Sequence, residues 1–219
     1  MLVDFVRPVQ AVIPGAQGRI LAVLVETSAE LNLRTLARLS GVSLAQASRV
    51  LPGLVSLGLV ERREAPPSAL FRVVPDHVAV RAVLALSRAR DVILEEIGRG
   101  AAKLPGPPVS VIVFGSLARG DGGPESDVDL VLVRPAEVGE DSEDWRCAVE
   151  AWRTDVRRMA GSSVDLIEVG EGEIGRLLRS LRPMWKDVLR DGVVVHGAPL
   201  DELRRTTWRS RTKVGLVAQ

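Results

Sequence analysis

The 219-residue sequence predicts an α+β chain in three parts: helices followed by a β-hairpin, a helical connection, and a small mixed β-sheet flanked by helices. Three observations indicate this class. Apolar residues recur at helical spacing in the first half, and β-branched runs of strand length appear in the second half. A proline-rich break at residues 104–108 lies between the two halves. The chain is long enough for two domains with separate cores, and the break divides it accordingly.

The first part begins with three predicted helices, over residues 18–25, 33–40 and 44–51. The second helix is expected to end at Gly41, and Ser43 is expected to cap the start of the third. Pro52 and Gly53 follow directly. Because a proline inside a helix removes a hydrogen bond, we expect the third helix to kink or end there.

Two short strands, over residues 59–63 and 69–74, are predicted on either side of the breaker 65–68, which gives a β-hairpin. Helices and hairpin in this order resemble the winged helix-turn-helix domains of bacterial transcription regulators, here over residues 1–75. The resemblance implies binding to double-stranded DNA, by base-edge or phosphate contacts, through Ser43, Gln46, Ser48, Arg49, Arg62 and Arg63. Winged helices also bind proteins, and that alternative stays open.

Residues 76–104 predict one or two amphipathic helices, which form either a brace between domains or a dimerisation helix. Charge favours DNA contact only mildly. Residues 1–104 carry 13 basic and 9 acidic side chains, whereas residues 105–219 carry 16 and 19. Phosphate neutralisation drives most nucleic-acid affinity, so we expect modest affinity per protomer, which a homodimer would increase.

The second half contains the residues that indicate chemistry. A predicted strand, Val109–Phe114, runs into Gly115 and Ser116, and a second strand begins around the pair Asp127 and Asp129. Side chains two residues apart on a strand leave the same face, so the two carboxylates can point together. Hard oxygen ligands of this kind suit Mg²⁺, which completes its shell with water and nucleotide phosphates. The sequence therefore predicts a metal and phosphate site.

The turn supplies the expected phosphate contacts. Gly115 lets the backbone approach a ligand, and Ser116 offers a hydroxyl and an amide. Arg119 would neutralise a phosphate or only brace the loop, and Ser126 completes the nucleotide-binding set. An Asx-type turn at Ser126 and Asp127 is the simpler structural explanation of that pair.

Gly115-Ser116, an eleven-residue step and Asp127-Val128-Asp129 resemble the minimal nucleotidyltransferase domains of the DNA polymerase β superfamily, here over residues 105–219. In that family a third acid begins a neighbouring strand. The run 164–169 offers Asp165 on one side of the pleat and Glu168 on the other, and Asp165 is the preferred candidate.

The resemblance implies a catalytic set of Asp127, Asp129 and Asp165 that binds two Mg²⁺ or Mn²⁺ ions. Two ions about 3.5–4 Å apart can stabilise the attacking and leaving oxygens of a displacement. The nucleoside triphosphate would be the substrate, with AMP moved from ATP to a protein or RNA acceptor. Such domains often resemble halves of toxin–antitoxin systems, so a partner protein is expected. The alternative is a DNA-binding regulator whose nucleotidyltransferase fold only senses nucleotide or metal.

The remaining features argue against a secreted or membrane-spanning protein. The start of the chain is neither basic nor followed by a long apolar run, and no uncharged apolar stretch reaches eighteen residues, so we expect a cytoplasmic protein without membrane contact. The single Cys147 has no partner for an internal disulfide and is expected in a helix core. Helices are predicted over residues 141–159 and 173–189. The basic tail after Glu202 is either a solvated end or a contact for an acidic partner or nucleic acid.

Overall fold

A computed structural model of the chain describes residues 4–123 and 126–205. The chain forms two compact units, one of residues up to Val92 and the other of most of the chain from Ile93. The greater part of the basic tail lies outside the described residues.

The first unit combines helices with a small antiparallel sheet. Its elements are α1 (Pro8–Val12), α2 (Gly15–Glu26), β1 (Leu31–Asn32), α3 (Leu33–Ser40), α4 (Leu44–Ser56), β2 (Val60–Ala65), β3 (Ser68–Val73), α5 (Val78–Ser87) and the start of α6 (Ala89–Ala101). Strand β3 lies between β1 and β2 and pairs antiparallel with both. The core is built from apolar side chains of α2, α3 and α4, of which Ile20, Leu24, Leu36, Leu51 and Leu54 are fully buried. The predicted three helices and hairpin are confirmed.

Local signals explain where α3 and α4 begin and end. The Asn32 side chain accepts a hydrogen bond from the Thr35 backbone N–H, and Gly41, with φ of 63°, ends α3 in the left-handed region. Ser43 and Gln46 then form a reciprocal capping box at the start of α4. The tight turn between the two helices is thus set by side chains next to it in sequence.

The helix does not end at Pro52, so that part of the expectation is wrong: α4 continues through Pro52 to Ser56. The carbonyl of Gly53 accepts hydrogen bonds from the Leu57 backbone N–H at 3.1 Å and the Ser56 hydroxyl at 2.9 Å. Leu51 and Leu54, on either side of the proline, are buried in the core. Their packing offsets the one hydrogen bond that proline removes.

The second unit contains a four-stranded mixed sheet flanked by helices, as the sequence predicts. After the end of α6, its elements are β4 (Ser110–Phe114), α7 (Gly115–Arg119), β5 (Val128–Arg134), α8 (Glu143–Ala160), β6 (Val164–Gly170), α9 (Glu171–Leu178), α10 (Pro183–Asp191), β7 (Val193–Gly197) and α11 (Leu200–Arg205). The strand order is β6-β5-β4-β7, with β5 and β6 parallel and the other neighbours antiparallel. Residues of β4 and β5 are almost entirely buried, which explains their continuous apolar runs.

Two expectations for this unit are wrong. The helix predicted over residues 173–189 is two helices, because Pro183 begins α10 and its ring does not fit a helix interior. Cys147 is exposed on α8, whereas Trp145 and Trp152 of the same helix are buried. Among the described residues, no helix is long and apolar enough to cross a membrane.

Candidate active site and nucleic-acid face

The turn after β4 is built around Gly115, whose φ of 69° lies in the left-handed region. A Cβ added at Gly115 would lie 2.1 Å from Oδ2 of Asp129 and 3.0 Å from its Cγ. Any side chain here would therefore collide with that carboxylate. Ser116 follows in the first turn of α7, and its carbonyl accepts the backbone N–H groups of Gly120 and Asp121. Glycine thus allows the Asp129 carboxylate to lie close against the backbone of the turn.

Two of the three predicted acids face each other across neighbouring strands. Asp129 of β5 pairs in register with Asp165 of β6, and side chains at paired positions of parallel strands share a face of the sheet. Asp127 comes just before β5. Asp129 is half-buried, whereas Asp127 and Asp165 are exposed. Strand pairing therefore brings together acids that come from separate stretches of sequence.

The electrostatics of Asp129 reflect this crowding. Burial raises the pKa of Asp129 above its usual range, and the negative charges of Asp165 and then Asp127 raise it further. The positive charge of Arg119 acts in the opposite direction. All four side chains are thus close enough to influence one proton equilibrium, and burial and like charge together favour the protonated form of Asp129.

Ser163, which sequence analysis missed, donates its hydroxyl hydrogen bond to Oδ1 of Asp127. Its carbonyl also accepts the backbone N–H of Val128 at 2.9 Å. Asp127 is therefore held from the start of β6 as well as by its own chain. The sequence gives one indirect signal, since Ser163 comes two residues before Asp165. Ser126, the last predicted nucleotide contact, is half-buried next to Asp127.

Arg119 is paired with two acids on different elements. Its Nε donates to Oδ2 of Asp121 at 2.9 Å, and its Nη1 lies 3.5 Å from Oδ2 of Asp191 at the end of α10. About 37% of the Arg119 side chain is exposed. Asp191 was not a predicted site residue, because no local pattern links it to the turn. The arginine braces the loop, and part of its side chain is still exposed to solvent.

Glu168, the rejected candidate for the third acid, is already engaged. Its Oε1 lies 2.8 Å from Nε of Arg134 and accepts a hydrogen bond of 3.1 Å from the indole N–H of Trp145. Glu168 lies three positions after Asp165, so the two side chains leave opposite faces of β6. Asp165, and not Glu168, is the acid on β6 that affects Asp129.

The predicted DNA contacts of the first unit have different local partners. Ser43 and Gln46 are exposed but occupied by the capping box, whereas Ser48 and Arg49 are exposed on α4. Among the described residues, Arg49 forms no ion pair. On the hairpin, Nη2 of Arg62 lies 2.8 Å from Glu64, and Arg63 is hydrogen-bonded to Glu30. The two hairpin arginines are thus partly neutralised.

Comparison with known families agrees with this geometry. Residues 94–195 match the family model described as a nucleotidyltransferase domain, and residues 18–64 match the IclR helix-turn-helix domain. The chain joins a winged helix-turn-helix domain to a nucleotidyltransferase domain. Its mixed α+β architecture is the one expected for that combination.

Solved structures show limited similarity. The homodimeric winged helix-turn-helix DNA-binding domain from Mycobacterium bovis is 29% identical over 42% of this chain and 84% of its own, with a TM-score of 0.32. A MarR-family transcriptional regulator from Silicibacter pomeroyi is 26% identical over 42% of this chain and 68% of its own, with a TM-score of 0.31. A toxin–antitoxin structure with AMP-PNP is 18% identical over 53% of this chain and 78% of its own, with a TM-score of 0.33. The comparison with curated proteins gave no match.

The nucleotidyltransferase domain offers an oxygen donor set for a metal. Within residues 4–123 and 126–205, no three acidic, histidine or cysteine side chains already converge as a metal cage. Burial, and then the negative charges of Asp165 and Asp127, raise the pKa of Asp129, and a bound cation would offset the repulsion between these charges. Carboxylates are ligands that Mg²⁺ and Mn²⁺ accept. The type of ligand that these residues offer therefore suits such an ion.

Proposed function

We propose that this chain is a metal-dependent nucleotidyltransferase that moves an AMP group from ATP to a protein or RNA acceptor. The observation that carries the proposal is the pairing of Asp129 with Asp165 beside the Gly115 turn, with Asp127 close enough to influence Asp129. Three carboxylates whose like charges act on one another are costly for a site that only packs a strand end. In the proposal the carboxylates bind a cation, and the cation binds a polyphosphate.

The reaction is a displacement at phosphorus. An acceptor oxygen forms a bond to the α-phosphorus, the bond between that phosphorus and the bridging oxygen of the β-phosphate breaks, and pyrophosphate leaves. The acceptor proton moves to a nearby base, for which Asp165 is the candidate on this chain. Bound Mg²⁺ or Mn²⁺ would supply charge neutralisation at the attacking and leaving oxygens. Most of the catalysis would come from positioning and electrostatics.

Individual residues have distinct parts in this proposal. Asp127, Asp129 and Asp165 would hold the cation, and Ser163 would keep Asp127 oriented through its hydrogen bond. Gly115 and Ser116 would contact the phosphates, since the turn leaves no Cβ in the way. Within the described part of the chain, the Ser116 hydroxyl makes no hydrogen bond to protein, so it is free to meet a ligand. Arg119 would bind a phosphate oxygen from its exposed side, and Ser126 would contact the nucleotide from the start of the Asp127 segment.

The helix-turn-helix domain would direct this activity. In the proposal it binds double-stranded DNA through the exposed start of α4 and brings the enzyme, as a homodimer, to one locus. The sequence resemblance to minimal nucleotidyltransferases of toxin–antitoxin systems adds a partner protein as the acceptor to test first. The competing proposal is a DNA-binding regulator in which the same domain only senses nucleotide or metal.

Pyrophosphate release and label transfer from α-³²P-labelled triphosphates, with and without Mg²⁺, test the proposal. Wild type should release pyrophosphate and label an acceptor, whereas the Asp127→Ala, Asp129→Ala double variant should do neither. A matched control is Glu140→Ala, Asp141→Ala, which removes two exposed acids of the same domain from the loop before α8. That control should retain wild-type activity.

The competing proposal gives a different pattern. If wild type and the double variant label all candidate acceptors equally poorly, the enzyme proposal is wrong. Nucleotide-dependent DNA binding in the same preparations would then support the regulator.

A further inference from the structure

Arg119 does not stand alone beside the candidate active site, because a second element holds it. Asp121 follows it in the same loop, but Asp191 belongs to the end of α10, far along the chain. The distances are 2.9 Å from Nε of Arg119 to Oδ2 of Asp121 and 3.5 Å from Nη1 to Oδ2 of Asp191. These contacts fix the direction of the guanidinium plane from two sides.

Asp191 is itself firmly placed. Only 13% of its side chain is exposed. Arg190 donates to both of its oxygens, from Nε to Oδ1 at 2.8 Å and from Nη2 to Oδ2 at 2.7 Å. The hydrogen bond from Arg190 is the main reason that the pKa of Asp191 is lowered, and Arg119 lowers it further. Asp191 is therefore an ionised, largely covered acceptor and not a surface acid that happens to lie nearby.

The end of α10 is tied to the same strand that leads into the turn. Trp185 and Val188 of α10 are buried against a core that includes Ile112 of β4. Directly after Asp191, a Cβ at Gly192 would lie 2.2 Å from the Val188 carbonyl oxygen and 3.0 Å from Cγ2 of Ile112. Glycine at this position allows α10 to end close against β4. Strand β4 then continues into Gly115, so the elements that carry Arg119 and Asp191 both adjoin one buried strand.

The Arg119 guanidinium has further N–H groups with which to bind a ligand. Arginine carries N–H groups on all three nitrogens, and the two acids engage Nε and Nη1. The side chain is about one-third exposed, so its remaining N–H groups can meet a ligand at the turn. A phosphate oxygen is the acceptor for which a fixed arginine is best suited.

We propose that Asp191 is a positioning residue, which holds Arg119 in the orientation needed to bind the triphosphate at the Gly115 turn. The proposal rests on the proposed function and names a residue of that site that the sequence pattern does not reveal. Preorganisation matters because an arginine that must first be ordered loses part of its binding energy to side-chain entropy. Asp191 would act through Arg119, without touching the nucleotide.

The chain offers a matched control for Asp191. Asp187, one turn earlier on α10, also pairs with Arg190, at 2.9 Å, but has no contact with Arg119. We expect Asp191→Asn to raise the KM and Kd for the triphosphate about tenfold and to change kcat by less than about threefold. Asp187→Asn should change each constant by less than about twofold. Thermal melting of both variants shows whether either has lost its fold.

A double-variant cycle distinguishes positioning from a general structural effect. In an Arg119→Gln background, Asp191→Asn should have almost no further effect on the triphosphate Kd, because its target is gone. Equal effects of Asp191→Asn in both backgrounds, or equal effects of Asp191→Asn and Asp187→Asn, would overturn the proposal.

A nucleotide-free measurement keeps this test separate from the proposed function. The Arg119 Nη–H signals in ¹H–¹⁵N NMR spectra, which report the nitrogen that faces Asp191, should move and exchange faster with solvent in Asp191→Asn, and should be unchanged in Asp187→Asn. If these signals respond but wild type releases no pyrophosphate, the positioning contact stands and the enzyme proposal fails. If wild type is active and the signals do not respond to Asp191→Asn, the positioning proposal fails alone.

Discussion

The carboxylate of Asp129 occupies the space that a side chain at Gly115 would need, with Oδ2 only 2.1 Å from the position of a Cβ there. Gly115 also has a positive φ of 69°. We expect Gly115→Ala to lower the free energy of unfolding by about 1–3 kcal/mol and to lower kcat/KM by at least about 100-fold, because the turn and Asp129 must move apart. Urea denaturation and pyrophosphate release measure the two effects.

The control for this substitution is Gly139→Ala. An added Cβ at Gly139 meets no atom within 4 Å, and the φ of Gly139 is not positive. Stability and activity should therefore stay near wild type. If Gly115→Ala behaves like Gly139→Ala, close approach of the turn to Asp129 is unimportant.

The raised pKa of Asp129 predicts a pH dependence of stability. Since burial, Asp165 and Asp127 raise this pKa in the folded state, the folded protein binds the proton more tightly than the unfolded chain does. Ionised Asp129 therefore lowers the stability of the metal-free protein above its folded pKa, and this cost disappears as the pH falls through that pKa. We expect Asp129→Asn to raise Tm at neutral pH, with the difference from wild type shrinking on acidification.

Thermal melts over a pH series, with chelator present, check this sign. Adding Mg²⁺ should raise the Tm of wild type more than that of Asp129→Asn, because the cation compensates the same charges. An Asp129→Asn variant that is less stable than wild type at every pH would contradict the argument.

The two acids of β6 should differ sharply in their roles. Asp165→Asn is expected to lower kcat by at least about 100-fold with little loss of stability, because it faces Asp129 and removes like-charge repulsion. Glu168→Gln should keep kcat within about threefold and should lower stability, because it weakens contacts to Arg134 and Trp145. Steady-state kinetics and urea denaturation of the two variants measure this contrast. Equal losses of activity would remove the basis for choosing Asp165.

The proline inside α4 should be a destabilising feature. Pro52 has no N–H for the preceding helical turn, yet the helix continues past it to Ser56. We expect Pro52→Ala to raise the free energy of unfolding by about 1–3 kcal/mol. Chemical denaturation of the full chain measures the change. A decrease would mean that the proline makes contacts worth more than the missing hydrogen bond.

Different arginines of the winged helix should contribute unequally to DNA affinity. Arg49 is exposed on α4 and forms no ion pair within the described residues, whereas Arg62 is paired with Glu64. We expect Arg49→Ala to weaken DNA binding about fivefold or more and to reduce the slope of log K against log salt by about one. Arg62→Ala should have a smaller effect, since part of its charge is already neutralised. Fluorescence anisotropy with a labelled duplex at several salt concentrations measures both.

The helix-turn-helix was predictable from local signals. Asn32, Gly41 and Ser43 specify the ends of α3 and α4 through side-chain caps and a left-handed glycine, which act on residues close in sequence. The error at Pro52 arose because tertiary packing of Leu51 and Leu54 outweighed a local preference. Strand β1 has only two residues, too few for any alternation to be visible in sequence.

In the candidate site too, features that depend on residues close in sequence were predicted, and contacts between distant elements were missed. Alternation along β6 separated Asp165 from Glu168, the sheet brings Asp129 and Asp165 into register, and their catalytic roles stay a prediction. Contacts to Ser163 and Asp191 were missed because both depend on how distant elements pack. A single sequence shows no regular spacing from which contacts between distant elements could be predicted.

The parallel pairing of β5 and β6 has a consequence for how the molecule could be divided. Parallel neighbours need a long connection, which here runs through the exposed loop after β5 and then α8. Cleavage in that loop would leave Asp127 and Asp129 on one fragment and Asp165 on the other. Under the proposed function each fragment would be inert by itself, so regained turnover on mixing would report reassembly of the sheet, and the chain would become a split reporter.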